Sequence, residues 1–181
     1  MIKILLFSTI ILLISGCSTR FKHSTYKNYS SKSDSSNIYI KAAKKHSINP
    51  KTLHAICVIE SGEHPYAINI NTGKYKGSKY FKSYSSANNF MDRYLYSSNY
   101  DIGYCQINNW WLTRLNLNNE DLLDKYLNVD IAAKIYKDNV KRCKGEIVCA
   151  LSMYNTGKGN SSIGKKYAKK VLRQRRKLYG Y

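Results

Sequence analysis

Apolar residues recur at helical spacing along most of this chain and at strand spacing in one short part of it. Ile38, Ala42 and Ala43 mark the inner face of a first helix over 38–45. Ser47-Ile48-Asn49-Pro50 then restarts the chain, because Asn49 suits an N-cap and Pro50 the first helical position. From there Leu53, Ile56, Cys57 and Ile59 lie three and four apart, and the face they form ends on a carboxylate, Glu60, followed at once by Ser61 and Gly62. Tyr66-Ala67-Ile68-Asn69-Ile70 alternates and Asn71-Thr72-Gly73 is a turn signal. With the aromatic and polar mixture over 74–84 they predict a small irregular hairpin region. Helical spacing returns over 85–96 through Ala87, Phe90, Met91 and Tyr94, and over 129–140 with Ile131, Ala132, Ile135 and Tyr136 inward. Segment 122–127 reads as a connector. A further helix over 146–154 stops near Gly157, and a last one over 163–178 sets Tyr167, Val171 and Leu172 opposite a Lys/Arg-rich face. The pattern is that of a mainly α (α+β) domain.

Two places break the pattern in ways that suggest chemistry. A glutamate at the apolar end of a helix is partly desolvated, and desolvation raises its pKa, which suits a general acid. Tyr100-Asp101-Ile102-Gly103-Tyr104-Cys105-Gln106-Ile107-Asn108 is compact, with a glycine that lets backbone approach a ligand and the amides of Gln106 and Asn108 to hydrogen-bond it. Trp110 and Trp111 follow; aromatic faces beside a polar cleft are platforms for sugar rings, with one of the pair expected in the core.

Length and composition refine the picture. The 181 residues suffice for one domain with a sizeable core. Met1-Ile2-Lys3, an apolar run too short to span a bilayer comfortably, and Ser15-Gly16-Cys17 resemble a bacterial lipoprotein signal over 1–16. That resemblance implies cleavage before Cys17 and its lipidation. Ser18 in the next position resembles lipoproteins sent to an outer membrane, facing the periplasm. The stretch 17–36, rich in Ser, Lys, Tyr and Thr, is expected to be a flexible tether, leaving 37–181 as the folded domain. The formal charge of +19 draws the chain toward an anionic polymer or surface. An exported protein would meet cell-wall polymer or lipid headgroups, so no nucleic acid is expected. With Cys17 assigned to lipid, Cys57, Cys105, Cys143 and Cys149 remain for two disulfides in an oxidising compartment, with three connectivities open. If the more local pair, Cys143 with Cys149, forms, Cys57 pairs with Cys105 beside Glu60. No paired C-x-x-C spacing supports a zinc site.

Glu60-Ser61, the segment from Gly103 to Asn108, and Tyr154-Asn155-Thr156-Gly157 occur in the order and at the separations seen in family 1 (SLT-type) lytic transglycosylases, which these motifs resemble. The resemblance covers nearly the whole expected domain and is strongest to small members associated with conjugation, type IV pilus and type III secretion assemblies. It implies a goose-type lysozyme-like fold, peptidoglycan as substrate, and no cofactor or metal. It implies Glu60 as the catalytic acid between N-acetylmuramic acid and N-acetylglucosamine, Ser61, Gln106, Tyr154 and Asn155 as substrate-side residues beside the Asn108 amide already singled out, and Tyr167 as a hydrogen-bond partner near the carboxyl. Glu63, Asp92 and Asp101 are the nearest second carboxylates by position, but none falls on a catalytic position of the family. The family mechanism uses the substrate's own acetamido group and then C6 hydroxyl, giving a 1,6-anhydro product. Tyr104-Cys105 and Thr156 depart from the commoner Leu-Met and Ala. The competing expectations are a hydrolytic lysozyme on the same fold and a non-catalytic peptidoglycan-binding lipoprotein.

Overall fold

The computed structural model describes residues 32–95 and 99–180. The expected leader, Cys17 and most of the expected tether lie outside the described residues. The described residues form seven α-helices and one small sheet: α1 (Lys32–His46), α2 (Pro50–Ser61), β1 (Ala67–Ile70), β2 (Gly77–Tyr80), α3 (Tyr84–Tyr94), β3 (Tyr100–Ile102), β4 (Ile107–Asn108), α4 (Trp110–Leu115), α5 (Lys125–Arg142), α6 (Ile147–Thr156) and α7 (Ser162–Tyr179). The fold is thus mainly helical, as its apolar spacing predicts. Helix α1 starts at Lys32, inside the stretch expected as tether; its first residues, Lys-Ser-Asp-Ser-Ser-Asn, carry no apolar period to announce a helix.

Helix α2 is the central strut, and its ends are set by local chemistry. Asn49 Oδ1 accepts from Thr52 N at 3.1 Å, Pro50 opens the helix, and Gly62 closes it with φ 64° and its N–H on Val58 O. Leu53 and Cys57 are buried in a core shared with α1, α5 and the sheet, while Ala55 and Ile56 are buried in a second core shared with α6 and α7. Glu60 therefore leaves the end of a helix packed on two sides. Helices α6 and α7 cross closely because Gly164 has no Cβ to collide with Ser152.

The sheet is antiparallel with strand order β2-β1-β3-β4, larger than the hairpin predicted. Its register pairs Ser78 with Asn69, Asn69 with Asp101, and Asp101 with Asn108. These four polar residues make one file across all four strands. The alternate positions Ile68, Ile70, Ile102 and Ile107 are buried in the core on the other face. Strands β3 and β4, three and two residues long, escaped the sequence reading because alternation needs more positions than they have.

Two disulfides form, and of the three connectivities open in the sequence they take Cys57 with Cys105 and Cys143 with Cys149. The first ties α2 to the turn between β3 and β4, and the second ties the end of α5 to the start of α6.

Candidate active site

A cleft of about 770 Å³ runs between the polar file of the sheet and the C-terminal turn of α6. Glu60 stands in it, together with Asn69, Asp101, Gln106, Asn108, Trp110, Trp111, Tyr154 and Asn155. Burial pushes the Glu60 carboxyl up to about 7; the charge of Asp101 adds to the rise, and a hydrogen bond from Tyr167 opposes it. That bond, Tyr167 Oη donating to Glu60 Oε1 at 2.6 Å, comes from the buried face of α7. The Tyr167 hydroxyl is itself raised well above its ordinary value by burial and by the Glu60 charge. It remains a donor throughout the pH range in which Glu60 titrates.

The turn holding Gln106 is built around one asparagine. Asn128 is fully buried on α5; its Nδ2 donates to Ile102 O at 2.9 Å and Leu122 O at 2.8 Å, and its Oδ1 accepts from Cys105 N at 2.8 Å. Gly103, at φ 82°, lies against that amide so closely that a Cβ would collide with Asn128 and with the Leu122 carbonyl. Gln106 itself has φ 51°, and its Nε2 donates to Ala67 O at 3.1 Å and Gly103 O at 2.9 Å, which fixes the amide at the cleft wall. Tyr154 Oη donates to Cys105 O at 2.9 Å, closing the wall from the α6 side.

Ser61 stands apart from the other expected site residues. It is buried, its Oγ donates to Tyr104 O at 2.6 Å and accepts from His64 N at 3.0 Å, and it is not among the cleft-lining residues. With both bonds made internally, Ser61 joins the end of α2 to the Gly103–Gln106 turn. Tyr167 likewise lies behind Glu60 rather than on the cleft wall.

Of the three nearby carboxylates, only Asp101 enters the cleft. Its Oδ2 accepts from Asn71 Nδ2 at 2.9 Å and its Oδ1 from Asn108 Nδ2 at 2.8 Å. Glu63 turns the other way, accepting from Tyr39 Oη at 2.7 Å and lying 3.0 Å from His54 Nε2. Asp92 accepts from Asn88 on the exposed side of α3. The sequence reading missed Asn69, Asn71, Asn139 and Arg142 at the cleft. The alternation of Asn69 and Asn71 with Ile68 and Ile70 was the available signal for the first two.

Residues 37–176, well over half of the chain, match the family model described as Transglycosylase SLT domain. Comparison with curated proteins and with solved structures found no match.

Proposed function

The chain belongs to the transglycosylase SLT family, and from that premise we propose that it cleaves the β-1,4 bond between N-acetylmuramic acid and N-acetylglucosamine without water, leaving 1,6-anhydro ends. One observation carries this reading: a single desolvated carboxyl, Glu60, whose pKa of about 7 lets it exist in both protonation states at neutral pH. Protonated, Glu60 gives its proton to the glycosidic oxygen as the bond to C1 breaks. The neighbouring acetamido oxygen stabilises the developing oxocarbenium centre. Ionised and held by Tyr167, Glu60 then takes the proton of the C6 hydroxyl as that oxygen closes on C1. The proton balance is complete and no second protein carboxylate enters.

In this reading Gln106, Asn108, Tyr154 and Asn155 hold the saccharide. Asp101 supports the second reading, a hydrolytic lysozyme, because a carboxylate in the same cleft is what a water-activating or nucleophilic partner requires. Mass analysis of sugars released from peptidoglycan separates the two. Products about one water lighter than hydrolytic ones, absent with Glu60→Gln, support the transglycosylase. Reducing ends support the lysozyme, and an absence of products supports a binding protein.

The setting is part of the proposal. Lipidation at Cys17 would tether the enzyme to a membrane, with the outer membrane's periplasmic face favoured by Ser18. The Asp101-Ile102-Gly103-x-Cys105-Gln106-Ile107-Asn108 segment favours local opening of the wall for a secretion, pilus or conjugation apparatus. A Cys17→Ala chain recovered in the soluble rather than the membrane fraction supports the tether; unchanged membrane recovery removes it.

A further inference from the structure

The Glu60 cleft has a side branch. A hollow of about 570 Å³ is lined by Trp110, Trp111, Asp138, Asn139, Lys141 and Arg142. Trp110, Trp111, Asn139 and Arg142 also line the cleft itself, so the two spaces share a wall. One side of the branch is aromatic. Trp110 is 52% exposed and meets Trp111 edge-on at 4.8 Å, and the Arg114 guanidinium lies 3.1 Å over the Trp110 ring.

The other side is the last turn of α5, where the helix's carbonyl end favours Lys141 and Arg142. Neither cation has an ion-pair or hydrogen-bond partner among the described residues. The turn that carries them runs directly into Cys143, whose bond to Cys149 secures it to α6. Asp138, the one carboxylate of the branch, is bridged to Lys134 at 2.8 Å. The branch is thus a fixed site with an aromatic wall, unpaired cations and a single anion.

We propose that this branch binds the acidic peptide carried by the glycan strand, so that Lys141 and Arg142 make the enzyme selective for peptide-bearing over bare glycan. The inference rests on the peptidoglycan reading. An unbranched polysaccharide needs only a trough, whereas peptidoglycan carries a peptide on the lactyl group of its muramic acid units. That peptide bears carboxylates along its length and at its end, and an amino group in its diamino acid. Lys141 and Arg142 complement the carboxylates, Asp138 the amino group, and the indoles the intervening backbone.

Both tryptophans of the chain line this branch, so intrinsic tryptophan fluorescence of the full chain reports on it. Titration with the free stem tetrapeptide, alanyl-glutamyl-diaminopimelyl-alanine, should give a saturable change that salt weakens. In the Lys141→Gln/Arg142→Gln chain the affinity should fall about tenfold, the loss expected for a charge-assisted contact. No saturable change, or an identical titration in the variant, overturns the proposal.

A kinetic arm compares peptide-bearing strands with strands stripped by an amidase. The ratio of kcat/KM between them should exceed one and fall toward one in the variant; a ratio that the variant leaves unchanged overturns the selectivity. Peptide binding without turnover of either substrate would remove the catalytic reading and leave the site standing. Turnover of both substrates without a peptide response would do the reverse.

Discussion

A carboxyl that must first give a proton and later take one back works best when its pKa lies near the working pH. Glu60 reaches about 7 through opposed effects, burial and the Asp101 charge raising it and the Tyr167 hydrogen bond lowering it. Each can be tested by its sign. Because the acid must be protonated to start the reaction, kcat/KM should fall as pH rises through about 7. Tyr167→Phe removes a donor that favours the ionised form, so that descending limb should move to higher pH, with kcat down by about tenfold or more. Asp101→Asn removes a charge that disfavours ionisation and should move the limb lower. A pH–rate profile for each variant is the measurement, and a limb moving the other way refutes the assignment. The same elevation has a cost in folding. A carboxyl whose folded pKa exceeds its unfolded value contributes its stability at low pH and loses it as pH rises through about 7. Glu60→Gln should therefore be more stable than the native chain at alkaline pH by about 3 kcal/mol, read as a higher denaturant midpoint, and the gap should close in acid.

Among the elements, the turn between β3 and β4 depends most on one distant residue. Asn128→Ala would leave Cys105 N, Ile102 O and Leu122 O without the partner that now holds them. The expected loss is about 3 kcal/mol or more, read as a lower denaturant midpoint, with activity falling as Gln106 loses its footing. Breaking the Cys57–Cys105 link by a Cys57→Ala/Cys105→Ala pair should cost about 2–4 kcal/mol in the same assay. The helices around this turn were readable because their apolar spacing runs over many residues, and α2 was bounded by the Asn49-Pro50 start and Gly62 stop. The turn itself was readable as a compact site but not as two strands. Asp101 acquires its neighbours Asn69 and Asn108 through strand register, which brings together segments far apart in sequence. Helix α4 packs Trp111, Leu112 and Leu115 against the core without fully burying any of them, and at six residues it is too short for that spacing to announce a helix. The motif resemblance implies a substrate-side Ser61, but helical geometry turns adjacent residues to different sides, and Ser61 faces Tyr104 instead.

Across the whole molecule, charge is strongly one-sided, with 30 basic against 11 acidic side chains, so each carboxylate that joins elements carries unusual weight. Glu63 is one such junction. It accepts from Tyr39 on α1 and pairs with His54 on α2, and His54 Nδ1 lies 2.7 Å from Tyr179 Oη at the end of α7. The His54 contact, reinforced by Tyr39, holds the Glu63 carboxyl below the usual range despite partial burial. A depressed carboxylate contributes stability above its unfolded pKa and loses it as pH falls through the folded one. Glu63→Gln should accordingly lower Tm at neutral pH and converge with the native chain in strong acid. Equal melting curves at neutral pH would show that the junction carries no net stability.

The link between Cys57 and Cys105 closes a ring of chain, 48 positions around, that contains β1, β2, α3 and β3. Tension applied at the two ends of the domain would pass across that covalent bridge and bypass the ring. About 160 Å of contour length, at ~3.4 Å per residue, would stay hidden in a single-molecule pulling trace until a reductant was added. The file of Ser78, Asn69 and Asp101 lies within the sheltered ring, so three of its four strands would bear no direct load while the helices outside the ring were being extended.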